Sequence, residues 1–199
     1  MLKNLKICFF CALALGPLST LAVFAKPTEM LSFTKELKPD EEVPWFAFDA
    51  KDKENGNYDK VINSDKLKDL IKQKNYRRVV FAFFATWCPP CLEGLKKMSD
   101  NSEQLKKNGV LVLLVYVAEK DMETYSRKKI DEWLKQKKYL KDEWLLVFDP
   151  FNNSLEDFGL HKDRKADVPL PKTLVTDGNL RPVTLIGAEG DDFLQVLMK

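Results

Sequence analysis

The chain has 199 residues, of which 45% are hydrophobic and 31% are charged, with 8 glycines and 10 prolines. This is the composition of a globular protein, and it excludes collagen-like, low-complexity and disordered classes. The formal net charge of +2 is too small for the basic face that nucleic-acid binding requires, so no nucleic-acid partner is expected.

The first 25 residues have the pattern of a secretory signal peptide. Lys3 and Lys6 precede an apolar stretch, and Val23 and Ala25 provide a cleavage site before Lys26. The alternative is an uncleaved membrane anchor, for which the apolar stretch is short. Residues 26–42 are polar and lack periodicity, so they are predicted to be a linker that precedes a folded domain at 43–199.

The hydrophobic pattern predicts alternating strands and helices along this domain. A helix is predicted to begin with Ser64 as its cap, and an Asp177-Gly178 turn is predicted to join two strands as a hairpin. The predicted strands are 43–48, 78–84, 110–117, 144–148, 170–176 and 180–186, and the further predicted helices are 88–108, 121–138, 152–158 and 190–199. This order indicates an α/β fold with a central mixed β-sheet flanked by helices.

Two cysteines, Cys88 and Cys91, lie where the buried strand 78–84 meets the next helix. Removal of the leader removes Cys8 and Cys11, so these two remain in the mature chain. A disulfide between them closes almost no loop, which favours a chemical over a structural role. The positive end of the helix favours thiolate, so we expect Cys88 to be an exposed nucleophile and Cys91 a shielded resolving cysteine.

Zinc binding is the competing interpretation of a Cys-x-x-Cys pair. The chain has no second pair, and His161 is its single imidazole. A zinc site with four protein ligands is therefore not expected, and neither is a cofactor. His161 belongs to a charged insertion, 161–167, and is predicted to be a surface residue of that loop.

The segment Phe83-Phe84-Ala85-Thr86-Trp87-Cys88-Pro89-Pro90-Cys91 resembles the active-site segment of the thioredoxin superfamily, in particular the exported TlpA/ResA/CcmG-like thiol-disulfide oxidoreductases. The segments 44–49 and 170–178 resemble two further motifs of that family. The resemblance implies a thioredoxin-like fold and a redox-active Cys88–Cys91 disulfide.

The same resemblance implies roles for residues outside the cysteine pair. Pro171 would be a cis-proline that faces the cysteines, and Glu119 would serve in proton transfer, with a solvated strand-end carboxylate as the equal alternative. Residues implied to contact the substrate are Trp87, Pro89, Pro90 and Leu170. The implied partners are exported protein thiols and disulfides and a membrane electron donor, at the periplasmic or extracytoplasmic face of a bacterial membrane. A role in cytochrome c maturation is one specific form of this function.

The chain departs from the pattern at Ala82, where many thioredoxins have a buried aspartate six residues before the first cysteine. The two prolines of the motif are a further distinguishing feature. Because Pro89 and Pro90 have no N–H, only Cys91 and later residues can donate to a Cys88 thiolate. This predicts a reductant, with a potential nearer to about −270 mV than to the value of about −120 mV found for strong oxidants.

Two other functions are compatible with a fold of this kind. An SCO-like copper chaperone could bind Cu(I) through two thiolates, although that family spaces its cysteines Cys-x-x-x-Cys and adds a distant His. A peroxiredoxin expects Pro and Thr seven and three residues before its reactive cysteine. Those positions hold Phe81 and Ala85, which disfavours the peroxiredoxin.

Overall fold

The fold is taken from a computed structural model that describes residues 26–50, 60–117, 127–149, 153–161 and 170–199. The predicted signal peptide and Glu119 lie outside these described residues. The strands are β1 (Glu29–Leu31), β2 (Ala47–Ala50), β3 (Lys60–Asn63), β4 (Arg78–Phe84), β5 (Val110–Val117), β6 (Leu145–Asp149), β7 (Lys172–Asp177) and β8 (Pro182–Ala188). The helices are α1 (Ser64–Lys74), α2 (Pro89–Asp100), α3 (Ser102–Lys107), α4 (Arg127–Gln136), α5 (Asn153–Asp157) and α6 (Phe193–Met198).

The strands form one mixed sheet in the order β1-β8-β7-β4-β5-β6-β2-β3. The three central neighbours β4, β5 and β6 are parallel, and all the other pairings are antiparallel. Helices α2 and α6 pack against β4, and α3 packs against β5. The predicted α/β fold, with a central mixed sheet flanked by helices, is confirmed.

The two central strands, β4 and β5, are buried on both faces. Every residue of β5 is buried, and β4 is buried from its second residue onward, as a continuous apolar run requires. Phe81 and Phe83 share one face and pack edge-on against Phe158, with ring centroids 6.2 and 6.3 Å away. On the other face Phe84 packs against Tyr116 at 5.5 Å. These rings fix the end of β4, from which the cysteine motif follows.

Part of the predicted linker belongs to the sheet. β1 pairs antiparallel with β8, and Met30 lies opposite Ile186. Leu37 is buried, and the Val43 N–H donates to the Leu180 carbonyl at 2.9 Å. A three-residue strand is too short to show an alternating pattern, which is why the sequence analysis placed these residues in a linker.

The chain just before β1 is bound to the loop between β8 and α6. The Lys26 N–H donates to Asp191 Oδ2 at 2.7 Å, and the Asp191 N–H donates to the Lys26 carbonyl at 2.8 Å. The Gly190 N–H donates to Thr28 Oγ1 at 3.0 Å, and the Thr28 N–H donates to Asp192 Oδ1 at 2.8 Å. We call this set of contacts, between residues 26–28 and 190–192, the terminal clamp.

The cap of α1 lies one residue earlier than predicted. Asn63 is the N-cap, and its Oδ1 accepts the Lys66 N–H at 3.0 Å. The predicted cap, Ser64, instead accepts the Phe46 N–H through its Oγ at 3.1 Å. Ser64 therefore joins the helix to the segment before β2 rather than closing the first turn of α1.

Other predicted boundaries also shift. The helix expected at 88–108 is divided at Asn101, whose side-chain amide donates to the Lys97 carbonyl at 2.8 Å and competes with the helical backbone pattern. The strand expected at 43–48 begins at Ala47. Residues 121–126 of the helix expected at 121–138 lie outside the described residues. None of the helices in the described ranges is both long and apolar enough to cross a membrane.

The predicted hairpin between β7 and β8 is present, but its turn is longer than two residues. Leu180, two residues after Gly178, has a left-handed conformation with φ of 60°. Asp177 Oδ1 accepts the N–H groups of Asn179 and Arg181 at 2.8 and 2.9 Å. These two bonds hold the longer turn, so β8 begins at Pro182.

Candidate active site

Cys88 and Cys91 form a disulfide at the start of α2, with an S–S distance of 1.96 Å and a Cα–Cα distance of 5.3 Å. Cys88 is the N-cap of the helix, and Pro89 and Pro90 fill its first positions. Proline suits the first turn of a helix because the N–H groups there have no helical acceptor. The buried strand β4 and the proline-led helix thus hold the two sulfur atoms at one edge of the sheet.

Both cysteines are buried in the disulfide form. Cys88 is 3% exposed and Cys91 is 4% exposed, so the prediction of an exposed Cys88 is wrong for this form. The disulfide turns the Cys88 side chain toward the helix, where its sulfur accepts the Cys91 N–H at 3.3 Å. The exposed groups are the neighbours of Cys88: Trp87 is 52% exposed, and Pro89 and Pro90 are also exposed.

The Cys91 N–H is thus the backbone donor that reaches the Cys88 sulfur. The next amide along the helix, that of Leu92, donates to the Cys88 carbonyl at 3.2 Å instead. Pro89 and Pro90 have no N–H to offer. In the disulfide form the start of the helix thus directs one backbone N–H, that of Cys91, at the Cys88 sulfur, and weak stabilisation of a Cys88 thiolate stays a prediction.

Pro171 lies at the same edge of the sheet as the cysteine motif. The Leu170–Pro171 peptide bond is cis, as the resemblance implied. Pro171 immediately precedes β7, whose first residue, Lys172, lies opposite Phe83 near the end of β4. Leu170 and Pro171 are both half-buried, so the described structure brings them to the edge where β4 continues into the two cysteines.

Lys172 gives this edge a partly desolvated cation. Burial lowers the pKa of its ammonium group, and the Glu29 carboxylate acts in the opposite direction. Glu29 belongs to β1, and its side chain lies over Gly187 of β8, where an added Cβ would be 3.0 Å from Oε2. Neither residue could be recognised from the sequence, because their proximity depends on the pairing of β1, β8 and β7.

Three other predicted residues have different outcomes. Ala82 is buried in β4 at 3% exposure, so its position holds no acid. His161 is 6% exposed, and its N–H donates to the Leu155 carbonyl at 3.0 Å. The prediction of a surface His161 is wrong, because the chain folds back against α5 at this point. Glu119 lies outside the described residues, and its role stays a prediction.

Glu189 is a residue near this edge that the sequence analysis missed. It follows β8 and is half-buried, and burial raises the pKa of its carboxyl group. Its side chain lies over Gly94 of α2. Gly94 was the available signal, because a glycine inside a helical pattern indicates close approach of another group.

The described ranges contain no cluster of three or more His, Cys, Asp or Glu residues that could hold a metal ion. The cysteine pair follows exposed Trp87 at a sheet edge where Leu170, Pro171, Lys172 and Glu189, all half-buried, also lie. Such an arrangement can form and break disulfides with a second thiol-containing chain.

Comparisons with solved structures agree on the fold. The thioredoxin domain of a thiol-disulfide oxidoreductase from Bacteroides vulgatus is 14% identical, with a TM-score of 0.56, covering 82% of this chain and 99% of that one. StoA from Bacillus subtilis is 15% identical, with a TM-score of 0.51 and coverage of 80% and 100%. The exposed lipoprotein thioredoxin of Streptococcus pneumoniae is 21% identical, with a TM-score of 0.52 and coverage of 77% and 97%.

A comparison with curated protein sequences found no significant match. Residues 40–182, more than half of the chain, match the model of the AhpC/TSA family. The thioredoxin-like fold that the resemblance implied is confirmed. With its thioredoxin-like mixed sheet and its cysteine pair at the start of α2, this chain belongs to the AhpC/TSA family.

Proposed function

We propose that this protein is an extracytoplasmic thiol-disulfide oxidoreductase that reduces disulfides in exported proteins. The observation that carries the proposal is the Cys88–Cys91 disulfide at a helix N-terminus, at the sheet edge that also holds Pro171. The AhpC/TSA family match and the thioredoxin-like fold support the general chemistry.

The proposed reaction passes two electrons from the reduced cysteine pair to a substrate disulfide. The Cys88 thiolate attacks one substrate sulfur, which breaks the substrate disulfide and leaves a mixed disulfide and one free substrate thiolate. Cys91, after losing its proton, attacks the Cys88 sulfur. The Cys88–Cys91 bond forms, the bond to the substrate breaks, and the second substrate sulfur leaves as a thiolate. Both substrate thiolates take protons from solvent.

Substrate contact is assigned to the groups that border the sulfur atoms. Trp87 is exposed and offers a large apolar surface. Pro89 and Pro90 are exposed beside it, and Leu170 and Pro171 lie directly before the start of β7. An extended substrate segment would lie between these two sets of residues, with its sulfur directed at Cys88.

Continued turnover requires an electron donor that reduces the disulfide again. We assign this role to a membrane reductase, and we place the protein at the periplasmic or extracytoplasmic face of a bacterial membrane. The signal-like leader supports this assignment, and one compared structure is an exposed lipoprotein thioredoxin. Apocytochrome c, whose haem-binding cysteines must be reduced, is one specific client of this kind.

The direction of electron flow follows from the weak stabilisation of the Cys88 sulfur. With the Cys91 N–H as its backbone donor at 3.3 Å, the reduced form gains little, and the potential should lie near the reductant value of about −270 mV. Equilibration with defined ratios of reduced and oxidised glutathione measures this potential. A value near about −120 mV would reverse the assigned direction.

A trapping experiment tests the exchange chemistry itself. In the full chain with Cys8→Ser and Cys11→Ser, the Cys91→Ala variant should stall as a covalent adduct with a disulfide-containing peptide. DTT should release the peptide, and mass spectrometry should locate the bond at Cys88. The matched Cys88→Ala variant should accumulate no stable adduct. If reduced, folded Cys91→Ala protein neither forms the adduct nor reacts with an alkylating reagent at Cys88, the proposed function is wrong.

A further inference from the structure

The register of the sheet places Glu189 beside the cysteine motif. Thr173 of β7 lies opposite Ala82 of β4 on one side and opposite Ile186 of β8 on the other. β8 and β4 both run antiparallel to β7, so they run in the same direction and end at the same edge. Glu189 follows the last residue of β8 there, as the cysteine motif follows β4.

The side chain of Glu189 crosses from this edge to α2. A Cβ built on Gly94 would lie 2.8 Å from Cδ and 3.3 Å from Cγ of Glu189. Gly94 is three residues after Cys91, and side chains at that spacing on a helix have Cβ atoms about 5–6 Å apart. The carboxyl carbon of Glu189 therefore lies within about 9 Å of the Cys91 Cβ.

Further contacts hold the loop that carries Glu189. Lys97 of α2 donates from Nζ to the Gly190 carbonyl at 3.1 Å. The terminal clamp fixes the next two residues, Asp191 and Asp192. These contacts hold the backbone of the loop against α2 and against residues 26–28, and the loop carries the Glu189 side chain to its position over Gly94.

The charged groups around Glu189 come from two parts of the fold, α2 and the terminal clamp. Lys97 and Glu93 face it from α2, and Lys26 faces it from the terminal clamp. Burial is the largest influence and raises the pKa of the carboxyl group, whereas the two lysines lower it. A charge in such partly desolvated surroundings acts on its neighbours more strongly than a charge in water.

Resting on the thiol chemistry proposed above, we propose that Glu189 is a positioning carboxylate that controls the ionisation of the reduced Cys88–Cys91 pair. It acts through its negative charge, which disfavours a second anion at the start of α2. The acid that many thioredoxins place within the strand is absent at Ala82. Glu189 provides a carboxyl group at the same edge of the sheet, from the loop that follows β8.

Titration of the reduced thiols with pH, followed by thiolate absorbance, tests the proposal. In the full chain with Cys8→Ser and Cys11→Ser, Glu189→Gln should move the titration to lower pH by about 0.3 to 1.3 pH units. The fraction of reduced protein at a fixed ratio of reduced to oxidised glutathione should increase as the thiol titration moves to lower pH. The matched control is Glu93→Gln, which removes the same charge two residues from Cys91 but at an exposed position. We expect its titration to stay close to that of the unchanged chain.

Gly94→Ala tests the geometry without a change in charge. The added methyl group would occupy the space of the Glu189 carboxylate and displace it. The titration should therefore move in the same direction as in Glu189→Gln, and the double variant should show no more than the Glu189→Gln shift alone.

The outcomes separate this inference from the proposed function. If the thiols of the Glu189→Gln and Glu93→Gln variants both titrate at the same pH as those of the unchanged chain, Glu189 does not control the ionisation of the cysteine pair. Glutathione exchange can still proceed in that case. If the unchanged chain fails to exchange with glutathione, the proposed function fails, and the titration still reports the effect of Glu189. Should Glu189→Gln not fold, as judged by circular dichroism, Gly94→Ala decides the result alone.

Discussion

At the scale of single residues, Asp149 shows two opposing effects on one carboxyl group. It ends β6 at 3% exposure and accepts the N–H groups of Asn153 and Ser154, each at 2.9 Å. The Ser154 hydroxyl donates to it as well. Burial raises the pKa of Asp149 and these bonds lower it, with burial the larger effect. The folded protein therefore holds this proton more tightly than the unfolded chain does.

This balance predicts a pH dependence of stability with a definite sign. Because the folded state binds the extra proton, the free energy of unfolding falls as pH rises from the ordinary aspartate range through the raised pKa. Asp149→Asn removes that dependence and loses an acceptor at every pH. We expect the stability of the unchanged chain, relative to the variant, to be higher at about pH 4 than at about pH 7. Urea unfolding of both proteins at the two pH values measures this, and the opposite slope would mean that the hydrogen bonds outweigh burial.

How well single residues could be predicted depends on whether their chemistry is local. Cys88, Cys91 and Pro171 stand in motifs a few residues long, so their positions could be expected from the sequence. Glu189 could not, because its neighbour Gly94 lies on another element and meets it only after β8 has paired with β7. The low exposure of Cys88 was missed because a bonded sulfur turns toward the helix.

At the scale of elements, the N-cap of α1 depends on one amide oxygen. Asn63→Ala should lower the free energy of unfolding by about 1 kcal/mol, because the Lys66 N–H loses its acceptor. Asn63→Asp keeps an acceptor and adds a negative charge at the positive end of the helix, so it should be close to neutral. Chemical denaturation of both variants tests this. Equal destabilisation by alanine and aspartate would assign the effect to the pairing of Asn63 with Ala47 and not to the cap.

Long apolar runs made the central strands predictable. Short elements that are partly exposed could not be predicted in the same way. β4 and β5 were predicted with their observed bounds, because strands buried on both faces need unbroken apolar sequence. β1 has three residues, two of them exposed, so its place in the sheet depends on its contacts with β8. The division of α2 from α3 depends on a side-chain bond of Asn101 that periodicity does not show.

At the scale of the whole molecule, the oxidised and reduced forms should differ in their free energy of unfolding. The sign of this difference indicates whether the protein acts as a reductant or as an oxidant. The disulfide joins residues three apart, and a loop this small contributes about 2 kcal/mol at most. Because Pro89 and Pro90 offer no N–H to a Cys88 thiolate, we expect the oxidised form to unfold at a higher urea concentration than the reduced form.

Urea unfolding with and without DTT measures this difference. A variant with Cys88→Ser and Cys91→Ser, in the chain that also lacks Cys8 and Cys11, is the matched control and should not respond to DTT. A reduced form more stable than the oxidised form would indicate a strong oxidant, and the proposed reductant role would then be wrong.

The terminal clamp has a consequence for how the protein would meet its clients. A free linker of residues 26–42 could have stretched to about 55 Å, but Lys26 is bound to Asp191 on the loop that carries Glu189. In a chain whose leader stayed in a bilayer, the clamp would hold the loop of Glu189, and the helix α2 that this loop contacts, close to the lipid headgroups. A leader cut after Ala25 would let the same dithiol diffuse and meet substrates throughout the compartment. Cleavage of the peptide bond after Ala25 would thereby decide whether the protein encounters its substrates by diffusion within the membrane plane or by diffusion in solution.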